Sequence, residues 1–130
     1  MNAKSIQVSA FVVMVVGAAA LHAAPKSIDQ LDTYRQQGID QADPSHGRQL
    51  WYATANQRSC TSCHGEKSTS VGRHVKTGKT IEPMAPSVNP GRFQSAKKIE
   101  KWFMRNCKWT YGRECSTQEK TDILTWLAGQ

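Results

Sequence analysis

Apolar residues recur with helical spacing in four stretches of the chain after an apolar opening. Ile28, Leu31 and Tyr34 fall three apart and predict a short helix over 27–38. Asp43-Pro44-Ser45 reads as a helix start, with proline in the first turn, where its missing N–H costs little. The helix it opens runs from Ser45 to about Ala55 and turns Leu50, Trp51 and Ala53-Thr54 toward a core. Gly47, four residues before Trp51, leaves room for another helix to cross closely. Over 95–106, Ile99, Trp102, Phe103 and Asn106 stand at i, i+3, i+4 and i+7, while Lys97, Lys98, Lys101 and Arg105 fill the remaining surface. The last helix opens at Ser116 with Glu119 three residues on, a capping box, and offers Ile123, Leu124, Trp126 and Leu127 as its apolar side. Residues 65–90 are rich in Gly, Pro, Ser and Thr and read as loop. No period-2 alternation of useful length follows the leader, so the expected fold is all-α, with three to five helices.

The opening changes the domain count. Lys4 precedes an apolar run from Ala10 to Leu21 broken only by Gly17, and small residues then lead to a cleavage point after Ala23. The run is too short for a membrane span and no stop-transfer pattern follows it. Residues 1–23 are expected to be a signal peptide, leaving one domain over 24–130, periplasmic and without stable membrane insertion after cleavage. About 107 residues bury a limited fraction of their surface, so such a domain needs a staple or a cofactor.

Charge narrows the partners. The 130-residue chain carries a formal +7. Residues 24–57 are slightly acidic, whereas from Arg58 onward thirteen Lys or Arg face six Asp or Glu. An exported protein has little access to nucleic acid. The asymmetry fits either an acidic partner or a solvated basic face.

Cys60-Thr61-Ser62-Cys63-His64 is the signature of covalent haem attachment. Two thiols three positions apart on one helical turn reach the two vinyl groups on one porphyrin edge, and the next residue aims an imidazole at the iron. A thioredoxin-like pair lacks a surrounding βαβ pattern, and a zinc site lacks a second ligand pair. One haem c is therefore expected, on Cys60 and Cys63, with His64 on the iron.

Four side chains compete for the opposite face of the iron. Met84 lies beside two prolines in Glu82-Pro83-Met84-Ala85-Pro86 and serves either as a thioether ligand or as a soft gap-filler against the haem edge. Met104 falls about 140° round its helix from Ile99, off the stripe. His74 sits in a basic loop. Asn106 is the anomaly, an amide on an apolar stripe. It reads either as a helix C-terminal asparagine bonded to local backbone or as an oxygen donor to the iron.

Several runs together resemble the sphaeroides haem protein family of oxygen-binding class I cytochromes c. They are Ala85-Pro86-Ser87-Val88-Asn89-Pro90, Arg92-Phe93, Glu100-Lys101-Trp102-Phe103, Arg105-Asn106-Cys107, and Gly112-Arg113-Glu114-Cys115 with Glu119-Lys120 and Asp122. The resemblance spans roughly 47–127. It implies a class I cytochrome c fold, Asn106 as sixth ligand of the ferric haem, a disulfide between Cys107 and Cys115, and Met84 off the iron.

An amide oxygen is a hard, weak donor that suits Fe(III) better than Fe(II). The leading expectation is thus a haem protein that accepts an electron, releases Asn106 and takes O2, NO or CO at the open ferrous site, with Trp102, Phe103 and Trp109 either restricting access or serving as ordinary core residues. Its expected donor is another c-type cytochrome, a dihaem one, with an acidic docking face. The alternative is a plain electron carrier with His64 and Met84 on the iron. A third class, a small reductase or peroxidase turning over O2, NO or a nitrogen oxide, has no distal His and Arg pair that the sequence places over the iron. The chain is therefore expected to be an electron-transfer and ligand-binding protein rather than an enzyme, with at most slow reduction of O2 or a nitrogen oxide.

Overall fold

A computed structural model describes residues 28–130, and the expected signal peptide at 1–23 lies outside the described residues. The elements run α1 (Asp29–Gln36), α2 (Pro44–Tyr52), α3 (Thr61–His64), β1 (Gly72–Arg73), β2 (Thr80–Ile81), α4 (Ala96–Tyr111) and α5 (Thr117–Ala128). Helix α2 starts where its sequence says it should. Asp43 caps it by accepting from the Ser45 and His46 N–H groups at 2.9 and 3.0 Å, with Pro44 next in line. Ser116 caps α5 through the expected reciprocal box with Glu119.

Helices α2 and α5 form the centre of the molecule. Gly47 is the contact point, since a Cβ there would stand 2.1 Å from the Asp122 carbonyl oxygen. Trp51 packs with Ile123, Trp126 and Leu127 in one cluster, and Tyr34, Ile99 and Leu124 make a second. Phe93 and Phe103 lie against both and join them. Two polar ties hold the helices in register. Buried Asp122 accepts from the Asp43 N–H at 2.8 Å and from Gln118 Nε2 at 2.7 Å, and meets His46 Nδ1 at 2.8 Å. Glu100 accepts from the Tyr34 hydroxyl, from Gln30 Nε2 at 3.0 Å and from Lys120 Nζ at 2.8 Å, tying α1, α4 and α5 together.

Three expectations need correction. Helix α4 continues past residue 106 to Tyr111, because its stop is Gly112 in the left-handed region (φ 71°), a conformation that glycine adopts without a Cβ penalty. The buried side of α4 is Ile99, Phe103, Cys107 and Thr110, while Trp102 is 51% exposed and Asn106 is exposed. The expected stripe therefore splits in two. The loop after the haem motif also holds a small antiparallel hairpin that pairs Gly72 with Ile81 and Arg73 with Thr80. Two residues per strand are too few to show a period-2 pattern. Its turn is built by His74, whose Nδ1 accepts from the Lys76 and Thr77 N–H groups at 3.3 and 3.2 Å.

Candidate haem-binding site

The Cys60-to-His64 run folds as one helical turn. The hydroxyl of buried Ser59 bonds Thr61 Oγ1 at 2.6 Å, and the Ser59 N–H reaches Ser62 Oγ at 3.0 Å, which bends the chain into the turn. The His64 N–H donates to the Cys60 carbonyl at 3.1 Å. Gly65 then ends the turn at φ 76°. Both thiols are therefore on one turn with the imidazole directly after them, as the spacing requires, and both cysteines are free. A Cβ on Gly72 would lie 2.3 Å from the Cys63 carbonyl oxygen and 2.8 Å from His64 Cα. Only a glycine lets the hairpin press this closely on the attachment turn.

The environment of His64 suits a metal ligand. Its ring lies 5.1 Å from that of Trp51, centroid to centroid. Burial, with the positive charge of Arg92 second, lowers its pKa to about 4, so the imidazole is neutral and able to donate a lone pair across the physiological range. His64 Nδ1 and Trp51 Nε1 are both buried without hydrogen-bond partners among the described residues. Buried polar atoms are usually satisfied, and two orphans on neighbouring rings mark a place where another group belongs. Burial also pushes the Cys60 thiol up to about 11, so it is a protonated thiol. The Tyr111 hydroxyl donates to the Leu50 carbonyl at 2.6 Å. These residues fit a covalently attached porphyrin: Cys60 and Cys63 would carry it and His64 would bind its iron.

The candidates for the second axial position are placed very differently. Met84 packs against the Trp51 cluster. Its segment is pinned on both sides. The Met84 and Ala85 N–H groups donate to the Ser68 carbonyl at 2.8 and 3.0 Å, and the Pro83 carbonyl accepts from Arg92 Nε at 2.7 Å and Asn89 Nδ2 at 3.0 Å. Met104 is exposed on α4, as its position off the stripe implied. His74 is engaged in the hairpin turn. Asn106 is the eleventh of the sixteen residues of α4, and its side chain makes no hydrogen bond among the described residues. The C-terminal capping role is therefore excluded for it. One residue on, Cys107 is joined to Cys115 by a disulfide with Cα atoms 5.6 Å apart. Trp102, one turn before Asn106, offers a broad apolar face, with Lys101 and Arg105 over its ring at 5.4 and 5.6 Å. Trp109 is covered by the Arg58 guanidinium at 4.9 Å.

The sequence missed Arg92 as a neighbour of His64 and Tyr111 as a neighbour of Cys60. Neither follows from local periodicity, because both contacts join segments far apart in the chain.

A helical frame around a Cys-x-x-Cys-His turn, with orphaned polar atoms beside the histidine, defines a c-type cytochrome whose cofactor is haem c. A family model described as a domain of unknown function, DUF1924, matches residues 37–127. The chain is 45% identical over 94 residues to the cytochrome c-type protein SHP of Cereibacter sphaeroides, covering 68% of this chain and 72% of that protein. It is 36% identical over 74 residues to cytochrome c'' of Methylophilus methylotrophus, covering 57% of this chain and 51% of that protein. Among solved structures, oxidised SHP, an oxygen-binding cytochrome c, aligns with TM-score 0.72 at 40% identity, over 78% of this chain and 95% of its own. A solution structure of cytochrome c'', concerned with haem-ligand detachment, aligns at 0.68 and 26% identity, over 78% and 91%. The chain belongs to the DUF1924 family and to the sphaeroides haem protein family.

Proposed function

We propose that this protein is an exported monohaem cytochrome c that accepts an electron and then holds a diatomic ligand. In this reading the signal peptide at 1–23 is removed, and the domain over 24–130 works in the periplasm. Cys60 and Cys63 carry the haem through thioether bonds, and His64 is its permanent axial ligand. Bound haem c supplies a one-electron couple and, where an axial position is open, a seat for O2, NO or CO.

Asn106 makes the site conditional. Its amide oxygen is matched to ferric iron and poorly matched to ferrous iron, so it binds in the oxidised state and leaves on reduction. The observation that carries this reading is an asparagine in the interior of α4, next to the Cys107–Cys115 disulfide, whose amide makes no hydrogen bond to protein among the described residues. Such a residue forgoes the usual local backbone bonds and gains nothing from burial. The disulfide at Cys107 restrains the backbone beside it. Further support comes from the relatives, one described as oxygen-binding and another in terms of haem-ligand detachment. The alternative, Met84 on the iron, asks a segment held by four hydrogen bonds to give up its place in the core. The electron donor in this reading is a second c-type cytochrome, a dihaem one.

Ferric and ferrous spectra of the wild type beside Asn106→Ala test the proposal. The substitution is expected to convert the ferric spectrum to that of a site without the amide, while the ferrous and CO-bound spectra stay as they were. A ferric spectrum untouched by the substitution overturns the assignment.

A further inference from the structure

From Lys67 to Ile81 the chain carries Lys67, Arg73, Lys76 and Lys79 and no carboxylate, with Glu66 and Glu82 at its two ends. None of these four cations is in an ion pair among the described residues, a property they share with Lys97, Lys98, Lys101 and Arg105 on α4 but not with Lys108, Arg113 and Lys120. Arg73 donates from Nη1 to the Gly78 carbonyl at 2.8 Å, which holds its charge on the hairpin rather than loose in solvent. Val71 and Val75 stand among the cations, 60% and 52% exposed. Gly72 presses this hairpin onto the backbone of Cys63 and His64. A shallow concavity of about 340 Å³, lined by Cys63, Gly65, Val71 and Arg73 among others, joins the two.

A cluster of unpaired positive charge beside exposed aliphatic side chains is suited to a transient protein contact. The charges steer an oppositely charged partner and set its orientation, and the apolar centre excludes water on contact. We infer that the 67–81 hairpin is the docking face for an electron-transfer protein with an acidic surface, which delivers its electron beside Cys63. The inference rests on the function proposed above and names where the donor binds. One electron leaves the reduced centre of the donor and converts ferric to ferrous iron, and no covalent bond forms or breaks between the proteins. The other cationic surface, on α4, also sets unpaired Lys97, Lys98, Lys101 and Arg105 beside exposed Trp102 and Met104. It is the hairpin, however, that lies against the backbone of Cys63 and His64, where the electron must arrive. An anionic lipid surface would match the charge but brings no electron.

The test uses the holoprotein and a photoreduced plant-type [2Fe–2S] ferredoxin as the acidic donor. In stopped flow, the wild-type rate should fall steeply with salt. The triple variant R73E/K76E/K79E should be slower by at least about tenfold at low ionic strength, with a flattened salt dependence. K97E/K98E on α4 should change the rate less than about twofold. Amide NMR shifts on titration with oxidised ferredoxin should concentrate in residues 67–81. A larger loss in K97E/K98E, a wild-type rate indifferent to salt, or shifts confined to α4 would each overturn the inference. So would binding of the wild type to phosphatidylglycerol vesicles more tightly than to ferredoxin. The hairpin variant must keep the wild-type ferric spectrum, which reports on Asn106, and the CO spectrum, which reports on the open ferrous site, so docking and ligation can fail independently.

Discussion

Gly47 on α2 and Asp122 on α5 meet backbone to backbone, and a single added methyl group on Gly47 would fall 2.1 Å from the Asp122 carbonyl oxygen. Backbone cannot rotate out of the way as a side chain can. Gly47→Ala must push apart the two helices that carry Trp51 and Trp126, and it should cost about 3 kcal/mol. Thermal unfolding of the holoprotein should show a fall in Tm of roughly 10 °C or more. A shift under about 2 °C would mean that the crossing is looser than described.

Met84 separates the two ligation schemes. If it only fills space against the Trp51 cluster, Met84→Leu is close to volume-conserving and should cost less than about 1.5 kcal/mol. It should leave the ferric and ferrous spectra as they are. A ferric sulfur-to-iron charge-transfer band that vanishes in this variant would instead establish the electron-carrier scheme.

The Cys107–Cys115 link closes a short loop between α4 and α5. Loop-closure entropy puts its contribution on the order of 2.5 kcal/mol, acting through the unfolded chain. The double substitution of both cysteines by serine should lower the urea midpoint accordingly, without a change in m-value large enough to signal a different fold. Ferric spectra of the same variant report whether the restraint beside Asn106 matters for ligation. A broadened or mixed spectrum is the expected result.

Glu119 gives the domain a defined acid sensitivity. The fork of Arg113, at 2.7 Å on each carboxylate oxygen, and the Ser116 N–H at 2.8 Å hold its pKa down to about 2 from an ordinary 4.5. A carboxylate whose folded value is depressed contributes stability above its unfolded value and loses it as pH falls through the folded one. The contribution should thus be complete above about pH 4.5 and gone near pH 2. With solvent screening of a partly exposed pair it amounts to about 1 kcal/mol. Urea midpoints measured across that window should fall for the wild type and fall less for Glu119→Gln. Equal slopes for the two proteins would rule the pair out as the source.

Sequence and structure divide the molecule along a physical line. What depends on neighbours along the chain was legible beforehand. The spacing of Cys60, Cys63 and His64 needs only one helical turn, the Asp43 and Ser116 caps act within three residues, and the apolar side of α5 follows from its own period. What depends on contacts between distant segments was not. Where α4 ends is decided by Gly112, and which of its faces is buried is decided by Leu124, Trp51 and Tyr34, so that Asn106 moved from a helix end to a helix interior. The burial of Asp122 is legible only once Asp43, 79 residues away, is seen to donate to it. The hairpin of 72–81 likewise packs through Gly72 onto Cys63, a contact that no alternation of its own residues announces. Periodicity reports the preference of a segment for a shape, whereas burial and charge compensation belong to whatever the folded chain brings alongside it.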